Sequence, residues 1–208
     1  DCDAVGVFPG GSTPNAAFTH CTDFGMALWR QLGQRGRWHG LWNACSARYL
    51  KLNLGGHSFS LVGSDGGLLE QPQAMTEILL APAERIEIIV QPGNEQRQFA
   101  LTAEIYDRNK MGSVAAEQVI TLARVSLSAG QAVSLPAKLR EIADLGPASA
   151  HKRVVFSETM RMDNGQHQMD FLVNGKSFDM QRVDLTSKLG EVELWELVND
   201  SHMDHPFH

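Results

Sequence analysis

Short apolar runs rich in β-branched and aromatic residues recur along most of the chain, with turn residues between them. They lie roughly ten residues apart, a spacing typical of all-β sandwiches, in which each short strand reverses into the next. The runs occupy residues 47–54, 57–62, 75–80, 85–90, 99–106 and 119–125. The pattern therefore predicts an all-β domain over residues 36–138.

Two turns are explicit within this predicted domain. Gly55-Gly56 ends the first run, and the sequence SDGG at 64–67 follows the second. Glycine tolerates positive φ, and aspartate can hydrogen-bond its own backbone, so both favour chain reversal. Turns of this kind between apolar runs are typical of β-hairpins.

A second group of strand-like runs follows a segment rich in proline, glycine and alanine. The composition of this segment, 139–150, predicts a linker that contains a short turn, and a helical turn is one form that it could take. Apolar runs then resume at residues 153–158, 170–173 and 192–198, and Asn174-Gly175 follows the second of them. We expect a second, incomplete β domain over residues 151–208.

The last of these runs departs from simple alternation. Val192, Leu194 and Leu197 do not share one parity, although alternate residues of a strand face the same side. The pattern predicts either a bulge near Trp195 or burial of both faces.

Residues 1–35 show neither a two-residue nor a 3.6-residue apolar period. We interpret them as a poorly patterned N-terminal segment and predict loop. The chain begins at Asp1 without a basic and apolar leader, and it stops at His208 inside a histidine-rich segment. We therefore expect it to be part of a longer protein.

Composition excludes several functional classes. The chain has 18 basic and 24 acidic residues and a net charge of −6, which gives it no electrostatic basis for binding nucleic acid. No apolar stretch of about 18 residues is present, so no membrane span is predicted. The three cysteines match neither a zinc ribbon nor a redox pair, and we interpret Cys45 as a small buried thiol.

Three histidines lie close together at positions 202, 205 and 208. Imidazole is a favoured ligand of copper and zinc. Pro206 argues against a helix because it lacks the N–H group that a helix interior needs. On an extended strand, residues three apart face opposite sides, so His205 and His208 would serve two metal sites. A zinc site that uses all three histidines is the alternative.

Several segments carry a family resemblance. The sequence HPFH at 205–208 is similar to the start of the His-x-x-His-x-His segment in the final domain of multicopper oxidases, the laccase and cuprous oxidase family. The sequences FLVNGKSF at 171–178 and KLGEVELWELVN at 188–199 resemble the strands before it. NACSARYL at 43–50, GSDGG at 63–67 and LLAPAER at 79–85 resemble the family's middle cupredoxin domain. The resemblance covers residues 36–208.

This resemblance implies an all-β fold with two cupredoxin-like Greek-key β-sandwiches, the second truncated. It implies copper as cofactor, with His205 as a ligand of the type 1 copper and His208 as a ligand of the trinuclear cluster. His202 lies outside that ligand set. The parent enzyme would couple one-electron oxidation of phenolic, amine or metal-ion substrates to reduction of dioxygen to water, in a periplasmic or extracellular location.

The sequence also departs from the family pattern. It contains no His-Cys-His segment, and the remaining type 1 ligands and the family's first domain are missing. A type 1 site needs two imidazoles and a thiolate, so a single imidazole would bind copper weakly. We therefore expect these residues to be inactive by themselves. The alternative function is a non-catalytic cupredoxin-like scaffold or binding module.

Overall fold

The structure, a computed structural model, describes residues 16–21, 26–33, 36–108, 118–127, 129–132 and 134–207, with side chains from residue 40 onward. All regular elements in this part of the chain are β-strands, and none of its segments is a helix long and apolar enough to cross a membrane. The described residues form two compact units. Residues up to 106 and those from 118 to 142 belong to unit 1, and residues 107–108 and 143–207 belong to unit 2.

Unit 1 is a two-layered β-sandwich. Its strands are β1 (Ala16–Cys21), β2 (Met26–Gly33), β3 (Gly36–Asn43), β4 (Leu50–Asn53), β5 (Phe59–Ser64), β6 (Gly67–Met75), β7 (Glu77–Leu80), β8 (Arg85–Val90), β9 (Arg97–Glu104) and β10 (Ile120–Leu127). One sheet has the order β1-β2-β3-β8-β5-β6, and the other has the order β10-β9-β4-β7. Non-sequential neighbours of this kind are typical of Greek-key connections.

The core of unit 1 lies between these two sheets. The first sheet contributes Leu41, Phe59, Leu61, Ile86, Ile88 and Val90, and the second contributes Leu50, Leu52, Leu80, Leu101, Ala103, Leu122 and Leu127. Strand β8 shows why the sequence folds this way, because its Ile86, Ile88 and Val90 are buried while Arg85 is exposed. Such alternation buries one face of each sheet against the other. The strand predicted at 85–90 is confirmed.

Gly55-Gly56 carries the chain from one sheet to the other. Strand β4 lies in the second sheet and β5 in the first, so this turn joins the two layers and does not form a hairpin. Both glycines have positive φ, 58° and 75°, a conformation that costs other residues about 1–2 kcal/mol. The predicted turn at 64–67 does form a hairpin, because β5 pairs with β6 in antiparallel register.

The prediction of loop for residues 1–35 is wrong for two segments. Strands β1 and β2 pair with each other, and β2 pairs with β3 over eight residue pairs. Backbone hydrogen bonds to neighbouring strands hold these segments without an apolar period of their own. Residues 1–15 lie outside the described residues.

Unit 2 contains one sheet. Its strands are β11 (Ala150–Asp163), β12 (Gln166–Val173), β13 (Lys176–Ser177) and β14 (Glu193–Asp200), in the order β13-β12-β11-β14. Strand β11 pairs with β12 in antiparallel register and with β14 in parallel register. The Asn174-Gly175 turn is confirmed: both residues have positive φ, and Asn174 bonds the backbone of Val155.

Two expectations for unit 2 are not met. The β11–β14 register runs without a shift from Ala150↔Glu193 to Ser157↔Asp200, so the bulge predicted near Trp195 is wrong. Burial of both faces is also wrong, because Leu194 and Leu197 are 54% and 44% exposed. A sheet with no second layer over it among the described residues leaves such side chains accessible. The segment before β11 contains no helix in its described part, residues 134–149.

Candidate metal centre around His205

The segment that carries the histidines follows the last strand. Strand β14 ends at Asp200, residues 201–203 form a bend, and residues 204–207 belong to no strand. The prediction of a pleated strand through His205 is therefore wrong for these residues. Pro206 removes a backbone donor here, which is consistent with chain that joins neither a sheet nor a helix. His208 lies outside the described residues.

His205 is half-buried and contacts two side chains of unit 2. Its Nε2 atom lies 2.7 Å from Ser201 Oγ. Its ring stacks on Phe156 of strand β11, with ring centroids 4.8 Å apart and planes inclined by 11°. No described residue hydrogen-bonds the Nδ1 atom of His205. The imidazole is thus fixed through one nitrogen and one face.

Ser201 belongs to a small hydrogen-bonded network at the end of β14. Its hydroxyl donates to Asn199 Oδ1 at 2.7 Å and accepts from Met203 N–H at 3.3 Å. Asn199 Nδ2 donates to the carbonyl of Met203 at 2.7 Å. These bonds close the bend onto the strand, so the position of Ser201 relative to β14 is well defined.

His202 has different surroundings from His205. Its Nδ1 atom lies 2.6 Å from Glu158 Oε1, and its backbone N–H donates to the same oxygen at 3.1 Å. The hydrogen bond from the His202 ring, followed by the one from its backbone, lowers the pKa of Glu158 below its ordinary value. The two rings thus have separate partners, a carboxylate for His202 and a hydroxyl for His205.

Further contacts hold the segment to the rest of unit 2. Arg108 Nε donates to Asp204 Oδ2 at 3.1 Å, and the arginine side chain is mostly buried. The Phe207 ring lies against the Trp195 ring of β14, with centroids 6.2 Å apart. The segment is therefore held on both sides of His205.

Trp195 is fixed in turn by an ion pair between β11 and β14. Lys152 Nζ lies 2.7 Å from both carboxylate oxygens of Glu193 and 5.1 Å from the centre of the Trp195 ring. Trp195 Nε1 and Ser187 Oγ also donate to Glu193, at 2.9 and 3.0 Å. Hydrogen bonds from Lys152 first, and then from Trp195, lower the pKa of Glu193.

The described residues supply one part of a metal site. In the part of the chain that the structure describes, no three His, Cys, Asp or Glu side chains cluster closely enough to hold a metal ion. His205 fits a copper ligand, because one ring nitrogen is hydrogen-bonded while the other is unengaged, as in ligating histidines generally. The ring of His202 meets the same criterion through its Nδ1 contact with Glu158. Cys45 lies in unit 1, is partly buried, and has a pKa raised by burial.

Sequence reasoning found His205 but not the residues around it. Phe156, Glu158 and Arg108 are distant from it in sequence, and no motif marks them. Ser201 and Asn199 could have been suspected, since Asn and Ser commonly bond nearby backbone where a strand ends.

Comparisons with known proteins agree with this organisation. Sequence models described as multicopper oxidase match residues 25–126 and 152–208. The first match begins ahead of the resemblance recognised from residue 36, and it includes β2. Among curated proteins, the cell division protein FtsP of Photorhabdus laumondii is 31% identical, over 81% of this chain and 35% of its own length. The multicopper oxidase mco of Staphylococcus haemolyticus is 30% identical, over 81% of this chain and 32% of its own length.

Among solved structures, a multicopper oxidase from Campylobacter jejuni, described as a metallo-oxidase, matches with a TM-score of 0.71 and 37% identity. That match covers 80% of this chain and 37% of the solved chain. The chain spans about a third of the length of the curated relatives it matches. The strand order, the family matches and this structural similarity together show that the chain has the cupredoxin-like all-β fold and belongs to the multicopper oxidase family.

Proposed function

We propose that these residues act within a copper-dependent oxidase that couples one-electron oxidation of phenolic, amine or metal-ion substrates to reduction of dioxygen to water. Unit 1 would be a middle domain with a structural role, and the copper ligands would be His205 of unit 2 and the residue three positions on, His208. The observation that carries the proposal is His205 itself, held by Ser201 and Phe156 with its Nδ1 atom unengaged by described residues.

In this proposal His205 binds the type 1 copper and His208 the trinuclear cluster. Copper, when bound, supplies the one-electron steps that no amino-acid side chain performs readily. The chain's own contribution is to place an imidazole at a fixed angle, since Phe156 restrains its plane and Ser201 one of its nitrogens. Both restraints come from unit 2, so the ligand would be oriented before metal binds.

The proposal is tested in the natural protein that carries these residues. His205→Ala should remove the blue absorption of the type 1 copper and the oxidation of a reducing substrate. His202→Ala is the matched control, because the family resemblance places His202 outside the ligand set, and it should leave both signals in place. An unchanged blue band in His205→Ala would contradict the assignment. Cell fractionation tests the accompanying proposal of a periplasmic or extracellular location.

A second candidate is a non-catalytic cupredoxin-like scaffold. It is favoured by the 31% identity to a relative that is named for cell division and not for oxidation. Copper content separates the two candidates. A natural protein that purifies without copper, and takes up none on titration, supports the scaffold, whereas tightly bound copper supports the oxidase.

A further inference from the structure

The hydrogen-bond directions around Ser201 can be worked out from its neighbours. Asn199 Nδ2 donates to the Met203 carbonyl at 2.7 Å, which identifies Asn199 Oδ1 as the oxygen of the amide. An amide oxygen only accepts, and it lies 2.7 Å from Ser201 Oγ. The Ser201 hydroxyl proton therefore lies on the contact with Asn199 Oδ1. On the Met203 carbonyl, 3.3 Å away, it would leave two oxygen acceptors 2.7 Å apart with no proton between them. It does not point at His205.

This leaves one consistent role for His205. A hydroxyl has one proton and two lone pairs. With its proton on an oxygen acceptor, Ser201 Oγ can accept from Met203 N–H at 3.3 Å and from His205 Nε2 at 2.7 Å. The opposite arrangement, with Ser201 donating to His205, would bring two oxygen acceptors to 2.7 Å with no proton between them. His205 Nε2 must then carry a proton.

We propose that Ser201 and Asn199 are positioning residues that hold His205 as the Nε2–H tautomer and leave Nδ1 as its only metal-binding nitrogen. This inference rests on the proposed function for the metal and on the structure for the tautomer. A neutral imidazole has one donor and one acceptor nitrogen, so the hydrogen bond on one sets the role of the other. The Phe156 ring stacks on the imidazole, with centroids 4.8 Å apart, and so restrains its rotation about the hydrogen bond to Ser201.

The tautomer is measured by NMR on the ¹⁵N-labelled, metal-free chain at a pH where imidazole is neutral. The expected spectrum of His205 shows a protonated Nε2, an unprotonated Nδ1, and contacts from the ring to Phe156. A protonated Nδ1 would overturn the inference. The unsubstituted chain decides this point by itself, so the test stands even where a variant fails to fold.

Two substitutions test whether Ser201 fixes the tautomer. Ser201→Ala removes the acceptor, and the two tautomers of His205 should then interconvert, giving averaged nitrogen shifts. Ser201→Thr keeps a hydroxyl and should restore the unsubstituted spectrum, which a purely structural role would not require. Amide signals of β11 and β12 serve as the check on folding. Unaltered nitrogen shifts in a folded Ser201→Ala chain would overturn the inference.

Copper binding by the natural protein separates this inference from the proposed function. Ser201→Ala should weaken copper binding about 10-fold, the low end of the range for residues behind a ligand, and Ser201→Thr should recover it. The predicted tautomer without any copper binding would support the positioning role and refute the oxidase function. Tight copper binding with the other tautomer would support the function and refute the positioning role.

Discussion

Replacing Asn43 by alanine removes the best-connected buried polar side chain of unit 1. Asn43 is 0% exposed at the end of β3. Its Nδ2 donates to the carbonyls of Arg48 at 2.8 Å and Leu80 at 2.9 Å, and its Oδ1 accepts from Cys45 N–H at 3.0 Å. One side chain thus joins β3, the segment before β4, and the end of β7.

The expected loss of stability follows from the backbone groups that no longer have Asn43 as a partner. Alanine cannot make the bonds that Asn43 makes to two backbone carbonyls and one backbone N–H. A buried polar group that loses its partner costs about 1–3 kcal/mol. The Leu80 bond is fully buried, whereas the other two are partly buried and water can replace them in part. We expect Asn43→Ala to lower the free energy of unfolding of unit 1 by about 3–5 kcal/mol, out of about 5–15 kcal/mol for a typical domain.

Hydrogen exchange of the β3 and β8 amides measures this loss directly, because it reports on unit 1 without requiring the two units to unfold together. Asn53→Ala is the matched control. It removes one exposed bond, from Gly56 N–H to Asn53 Oδ1 at 2.9 Å, and should cost less than about 1 kcal/mol. If Asn43→Ala costs no more than the control, the account of this network is refuted.

Three further predictions concern turns, pH and copper. Gly56→Ala should destabilise unit 1 by about 1–2 kcal/mol because the φ of Gly56 is +75°. Gly66 has open space around it and no positive φ, so Gly66→Ala should change the free energy of unfolding by less than about 1 kcal/mol. Urea titration of both variants measures the difference. The depressed pKa of Glu193 gives unit 2 a contribution to stability that is complete above the ordinary carboxyl pKa and lost as pH falls through the folded value. The protection factors of the β14 amides should therefore fall in acid, and less so in Lys152→Gln; an equal fall in both would contradict the assigned cause. Copper titration of the purified 208-residue chain should give no blue band, and one tight equivalent with such a band would contradict its expected inactivity.

The two units differ in how their strands are covered. Unit 1 buries a continuous core between two sheets, whereas Val154 is the only buried hydrophobic residue in the described part of unit 2. Phe171, Met160 and Leu194 are each more than half exposed. Unit 2 relies instead on the backbone pairing of its strands, together with partly buried ion pairs such as Lys152–Glu193 and Arg108–Asp204.

Local features of the fold could be predicted from the amino-acid sequence. The apolar alternation at 85–90 fixed strand β8, and Asn174-Gly175 fixed a turn, because side-chain parity and positive φ are properties of neighbouring residues. The histidine cluster and the motifs around it also identified the family without coordinates. That membership rests on residues matched along most of the chain.

The pairing of the strands and the surroundings of His205 depend on the folded chain as a whole. Strands β1 and β2 have little pattern of their own and form because β3 pairs with β2, and β2 in turn pairs with β1. The alternation of side chains along a strand predicted the direction of His205, but the chain leaves the sheet at Asp200. Contacts with Phe156 and Ser201 determine the orientation of the His205 ring instead. Such contacts join residues far apart in sequence or across an irregular bend, and no local period encodes them.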